Sequence, residues 1–162
     1  MNRLIVALAL SVAVQLTAAT LPTVEGETLA GTKLSLPLAL KGRTALLVIG
    51  FTKDSQKQSE AWTKRLKTDL PALDTWSIVD LEDAPRLIRP MIMKAMRSAT
   101  PKPRQDHFLI LTKGGKPLKL ATSAANNDDA YLVLLDAEGN ITWQTHGPVS
   151  DAAIAPLRQR VP

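Results

Sequence analysis

Apolar positions follow two periods along this chain. Ala45 to Phe51 is apolar at every position, the pattern of an interior strand covered on both faces. Before it, Leu21 to Pro37 alternates short apolar runs with Gly26 and Gly31, as short strands around glycine turns do. Leu34 and Leu36 there mark a half-buried strand, and Lys41-Gly-Arg43 is a turn into the central strand. After it, the period changes to that of a helix: Trp62, Leu66 and Leu70 form one stripe. Ser55 and Gln58 have capping-box spacing, which predicts a helix from there to about Leu70, ended by Pro71. A second strand is predicted from Thr75 to Val79. A second helix carries the clearest period in the chain, with Ala84, Leu87, Ile88, Met91, Ile92, Ala95 and Met96 on one inward face. Asp83 is its predicted cap, Pro85 suits its first turn, and Pro90 is expected to kink it. Phe108 to Thr112 reads as a strand, Lys113 to Pro117 as a turn, and Leu118 to Leu120 as an edge pairing. Ser123 to Asp129 reads as a polar loop. Tyr131 to Leu135 and Ile141 to Thr145 flank Asp136-Ala-Glu-Gly-Asn140, a hairpin signal. Ser150 starts a last short helix, with Ile154, Leu157 and Val161 facing inward and Pro156 inside it.

Composition changes the picture in three ways. Arg3 followed by the apolar run Leu4 to Leu16, with small residues at Thr17-Ala-Ala19, reads as a signal peptide over residues 1–19. The expected location is therefore outside the cytoplasm, periplasmic or secreted, or membrane-anchored if the segment is retained. The 162 residues contain no cysteine, which excludes thiol redox chemistry, thiolate metal sites and disulfides within this chain. The net charge is +5, with local clusters at Lys53 to Lys67 and Arg86 to Arg104. Aromatic residues are few and do not interleave with the basic ones, which argues against a nucleic-acid platform.

The order of elements is strand hairpin, strand, helix, strand, helix, strand hairpin, helix. It resembles the thioredoxin-like superfamily with the N-terminal extension of its peroxiredoxin and TlpA group. The resemblance implies an α/β fold, a three-layer α/β/α sandwich with a central mixed sheet and an N-terminal β-hairpin extension, over residues 20–162. Glu27-Thr-Leu-Ala-Gly-Thr-Lys-Leu-Ser-Leu36 is similar to that extension, and Tyr131-Leu-Val-Leu-Leu-Asp-Ala-Glu-Gly-Asn140 to the closing hairpin. Gly50-Phe-Thr52 resembles the segment before the paired cysteines of the Sco copper chaperones. On that pattern the cysteine positions are Asp54 and Gln58, and the metal-ligand histidine falls near Asp128. Asp129 or Ala130 stands where thioredoxins carry a cis-proline. The cysteine-free mitochondrial ATP-synthase assembly factors are similar in general plan, an analogy of fold with no diagnostic motif behind it.

Several residue sets have chemistry to offer. Lys53, Asp54, Ser55, Lys57 and Gln58 lie where a helix N-terminus would favour a carboxylate or phosphate, or where a cap and solvated charges suffice. Arg86, Arg89, Lys94 and Arg97 point largely away from the apolar stripe and suit an acidic protein or an anionic membrane surface. Met91, Met93 and Met96 offer soft thioethers for Cu(I), although Met91 and Met96 also fall on the face expected to pack inward. His107 and His146 are isolated in sequence, and a site joining His146 with Asp128 or Asp129 would arise only in three dimensions. Asn126-Asn-Asp-Asp129 lacks the glycine and distal glutamate of a calcium loop. Asn140-Ile-Thr142 matches a glycosylation acceptor, although the turn itself accounts for Asn140. No nucleophile with an adjacent base is legible, and no cofactor is implied. The leading expectation is a redox-inactive exported domain that binds a protein partner as an assembly or adaptor module. The alternatives are an anion or metabolite binder at the Lys53 to Gln58 turn, Cu(I) handling by the methionines, and an enzyme using Asp54 with the Asp128 loop.

Overall fold

The computed structural model describes residues 19–161; the segment read as a signal lies almost wholly outside them. Seven strands form one mixed sheet: β1 (Val24–Thr28), β2 (Lys33–Leu36), β3 (Ala45–Gly50), β4 (Asp74–Asp80), β5 (Phe108–Leu111), β6 (Tyr131–Leu135) and β7 (Ile141–His146). Their spatial order is β2-β1-β5-β4-β3-β6-β7. β3, β4 and β5 are mutually parallel, while β1, β2, β6 and β7 add antiparallel strands at the two sides. This is the expected thioredoxin-like plan, including the N-terminal β1–β2 hairpin. Ala45 pairs with Asp74 on one side and Leu135 on the other, which places β3 at the centre and explains its unbroken apolar run.

Five helices cover the sheet: α1 (Lys53–Asp69), α2 (Arg89–Ala99), α3 (Lys102–Gln105), α4 (Gly115–Ala121) and α5 (Asp151–Arg158). On one face Leu46, Val48, Leu132 and Leu134 meet Trp62 and Leu66 of α1 and Ile154 and Leu157 of α5. Trp62 is fully buried and its indole N–H donates to Gly147 O at 2.8 Å, so α1 is tied to the end of β7. Truncating it to alanine would cost about 3–5 kcal/mol. On the other face Leu47, Ile49, Ile78, Leu109 and Val133 meet Leu118 of α4 and the N-terminal extension. A smaller cluster around Leu29, Leu81 and Ile110 receives Ile92, Met93 and Met96 of α2.

Four local expectations are corrected. The capping box of α1 is Thr52 with Ser55, one turn earlier than Ser55 with Gln58. The segment 118–120 belongs to helix α4 and not to a strand: β1 already occupies that side of β5, and Leu118 folds onto the core instead. The second helix begins at Arg89, so Asp83 is not its cap, and Pro90 sits in its first turn, where no backbone donor is needed and no kink results. Residues 81–88 form turns ahead of it. Its inward face is also rotated from the predicted one, since Leu87 and Met91 are exposed and no residue of α2 is fully buried. Ser150 caps α5 as expected, accepting from Ala153 N at 3.1 Å, with Pro156 inside the helix.

Candidate functional site at the carboxyl edge of the sheet

The parallel strands β3 and β4 both end at one edge, where α/β folds generally place their sites. There the chain turns from β3 into α1 through Phe51 and Thr52. Ser55 controls this turn from inside. Its hydroxyl accepts from Phe51 N and Thr52 N, each at 3.0 Å, and donates to Thr52 O at 2.8 Å. Thr52 reciprocates by accepting from Ser55 N at 3.2 Å, and its hydroxyl donates to the Asp128 carboxylate at 2.8 Å.

The loop before β6 is thereby fastened over the turn, and Gln58 fastens it a second time. The Gln58 amide oxygen accepts from Ala130 N at 3.0 Å, and its nitrogen lies 3.5 Å from Asp129. Asp129 in turn holds His146 of β7, with 2.9 Å between carboxylate and Nδ1. The His146 ring stacks on Tyr131 at 5.3 Å, and the Tyr131 hydroxyl donates to Asn126 O at 3.0 Å. Phe51 packs against Tyr131 with ring centroids 5.8 Å apart, and Lys119 Nζ lies 5.2 Å from the centre of the Phe51 ring. Lys119 also pairs with Asp83 at 3.3 Å. Side chains from five separated segments thus form one continuous polar and aromatic chain along this edge.

Asp80 closes the edge beneath α4. It is buried, and burial raises its carboxyl above the ordinary range despite a hydrogen bond from Glu82 N and the nearby Lys119 charge. Gly115 is required beside it, because a Cβ there would stand 1.8 Å from the Asp80 carboxylate. Gly114 precedes it at φ +88°, a left-handed conformation that suits glycine.

The sequence-predicted residues separate into distinct roles. Ser55 and Gln58 face inward as clasps, whereas Lys53, Asp54 and Lys57 are exposed, with Lys57 and Asp54 3.7 Å apart. Arg86 and Lys94 are exposed. Arg89 instead donates to Glu82 O and Ala84 O at 2.8 and 2.9 Å, and Arg97 to Leu29 O at 2.7 Å. Met93 and Met96 pack against the third cluster while Met91 stands in solvent, so the three thioethers do not share one face. His107 lies at the opposite edge, its ring tilted against Trp76 with centroids 4.7 Å apart and its Nε2 3.3 Å from Asp74. Among the described residues no group of three or more His, Asp or Glu is placed to hold a metal ion. Thr52, Phe51, Tyr131, Lys119 and Asp80 join this site with no expectation from sequence; only Thr52 has a local signal, Ser55 three positions later.

The turn, the helix behind it and the loop facing it belong to a thioredoxin-like fold. BsSco, a member of the Sco family of cytochrome c oxidase assembly proteins, superposes with a TM-score of 0.60 at 16% identity, covering 88% of this chain and 93% of that one. The thioredoxin domain of a thiol-disulfide oxidoreductase from Bacteroides vulgatus gives 0.62 at 16% identity, covering 90% and 98%. A peroxiredoxin-like protein from Aquifex aeolicus gives 0.56 at 9% identity, covering 89% and 86%. These likenesses are of fold. No curated protein matches the chain by sequence. Residues 13–161 match the family described as ATP10 protein, and the chain belongs to that family.

Proposed function

We propose that this chain is an exported, redox-inactive member of its family that holds a protein partner while a membrane complex is assembled. The observation that carries this reading is the state of the carboxyl edge. The turn that bears cysteines in redox-active relatives is kept in place by Thr52, Ser55 and Gln58, yet the chain has no thiol to use there. A pre-organised, polar, partly aromatic surface with no nucleophile of its own suits binding better than turnover. Family membership supports a role in assembly. Export is supported by Arg3 and the apolar run that follows it.

The test is photo-crosslinking in native membranes with the probe placed at exposed Lys53, at Asp128, or at Glu138 on the opposite edge. The same partner polypeptide captured from Lys53 and Asp128, and not from Glu138, is the expected result. Capture only from Glu138, or none from the carboxyl edge in a chain with an unchanged melting curve, would refute the reading.

A further inference from the structure

The turn leading into α2 and the first turn of that helix show apolar side chains to solvent. Leu87 is 95% exposed, Met91 66% and Ile88 40%, and Pro85 and Pro90 flank Leu87 and Ile88. Met91 and Lys94, three apart in α2, are both exposed, and Leu87 and Ile88 are exposed in the turn immediately before the helix. Single exposed apolar side chains need no explanation, but three adjacent ones at a protruding tip do.

The tip is also held rigidly. Arg89 crosses beneath it to bond Glu82 O and Ala84 O, and Arg97 bonds Leu29 O one helix length further on. The two Arg89 bonds tie the start of the 82–88 turn to the first turn of α2.

Charge identifies what the tip meets. Residues 84–105 contain Arg86, Arg89, Lys94, Arg97, Lys102 and Arg104 and no acidic residue. Exposed apolar side chains beside the exposed cations Arg86 and Lys94 match the acyl and headgroup layers of an anionic bilayer. A bilayer accepts a protruding side chain without a shaped pocket, whereas a protein partner needs one. We propose that the Leu87–Ile88–Met91 tip inserts into the interface of an anionic membrane, with Arg86 and Lys94 on the headgroups. The proposal is independent of the partner-binding reading, since the tip shares none of the residues of the Thr52–Gln58 turn.

The absence of cysteine makes the test specific. Single Leu87→Cys and Glu138→Cys variants of the full chain would carry a nitrobenzoxadiazole label. They would be mixed with vesicles of phosphatidylcholine alone or with about 30% phosphatidylglycerol. The expected result is a blue shift for the Leu87→Cys label on anionic vesicles only, quenched by spin-labelled lipid and reversed by salt. The label at Glu138→Cys should stay unshifted, and adding Arg86→Glu with Lys94→Glu should weaken binding about tenfold or more. Because each label reports its own position, binding through the apolar N-terminal run does not imitate the result. No shift for the Leu87→Cys label on anionic vesicles, or equal shifts at both positions, would overturn the proposal. A crosslink from Leu87 to a protein with no vesicle signal would assign the tip to a protein partner instead.

Discussion

Replacing Ser55 with alanine tests the physical account of the carboxyl edge most directly. The Ser55 hydroxyl is fully buried and is the acceptor for two backbone donors, Phe51 N and Thr52 N. Alanine leaves both N–H groups without it, and the first of these is buried. A buried donor left unpaired costs about 1–3 kcal/mol, and the partly solvated Thr52 N–H adds less. That second bond is the return bond of the capping box, and its loss is the smaller contribution, about 0.5–1 kcal/mol. The expected destabilisation is therefore about 2–4 kcal/mol, a large part of the roughly 5–15 kcal/mol available to a domain. Urea unfolding followed by tryptophan fluorescence should show a lower midpoint at an unchanged slope, by about 1–2 M. Ser59→Ala is the control: that hydroxyl only donates to Ser55 O, at 3.0 Å within the helix, and its loss should cost less than about 1 kcal/mol. A Ser55→Ala loss below about 1 kcal/mol, or one equal to the control, would refute the claim that this hydroxyl holds the turn.

Two carboxylates should respond to pH with opposite signs. Burial raises the Asp80 carboxyl, so its ionisation opposes folding as pH rises through its folded value. Asp80→Asn should accordingly stabilise the protein at neutral pH, and the gain should vanish as the pH falls and Asp80 takes up its proton; thermal melts across pH 3–7 check this. Asp69 is lowered by the Arg65 hydrogen bond and, against some burial, by Arg158, which ties the end of α1 to α5. Its contribution is present above the ordinary carboxylate range and lost as pH falls through the folded value, so Asp69→Asn should lower the melting temperature at pH 7 and converge with the parent in acid.

Much of the architecture was legible because it rests on short-range pattern. An all-apolar Ala45 to Phe51 can only be an interior strand, and the residues around Asp136 to Asn140 specify a hairpin that Asp136 then closes by accepting from Asn140 N at 2.8 Å. Burial would raise that carboxyl, but the hydrogen bonds from Asn140, Glu138 and Gly139 bring it below the ordinary range. The sequence of α4 is ambiguous because three residues with two leucines fit a strand as well as a helix turn, and only the occupied side of β5 decides between them.

The candidate site was less legible because its bonds join positions far apart in sequence. Thr52 with Asp128 and Gln58 with Ala130 become neighbours only when β3 and β6 pair, and Asp129 with His146 only when β6 and β7 pair. Helix α2 shows the same limit within one element. Its period establishes an amphipathic helix, but period alone does not set the rotation of that helix about its axis. The rotation follows from the third cluster, which takes in Ile92, Met93 and Met96, and from Arg89 and Arg97, whose long side chains reach carbonyls beneath the helix. The sequence by itself thus determined the main strands, the long helix α1 and the absence of cysteine, since these depend on residue type and local spacing. The tertiary structure decided which side chains face solvent and which close the edge, because those depend on carbonyls, carboxylates and apolar surfaces that distant segments supply.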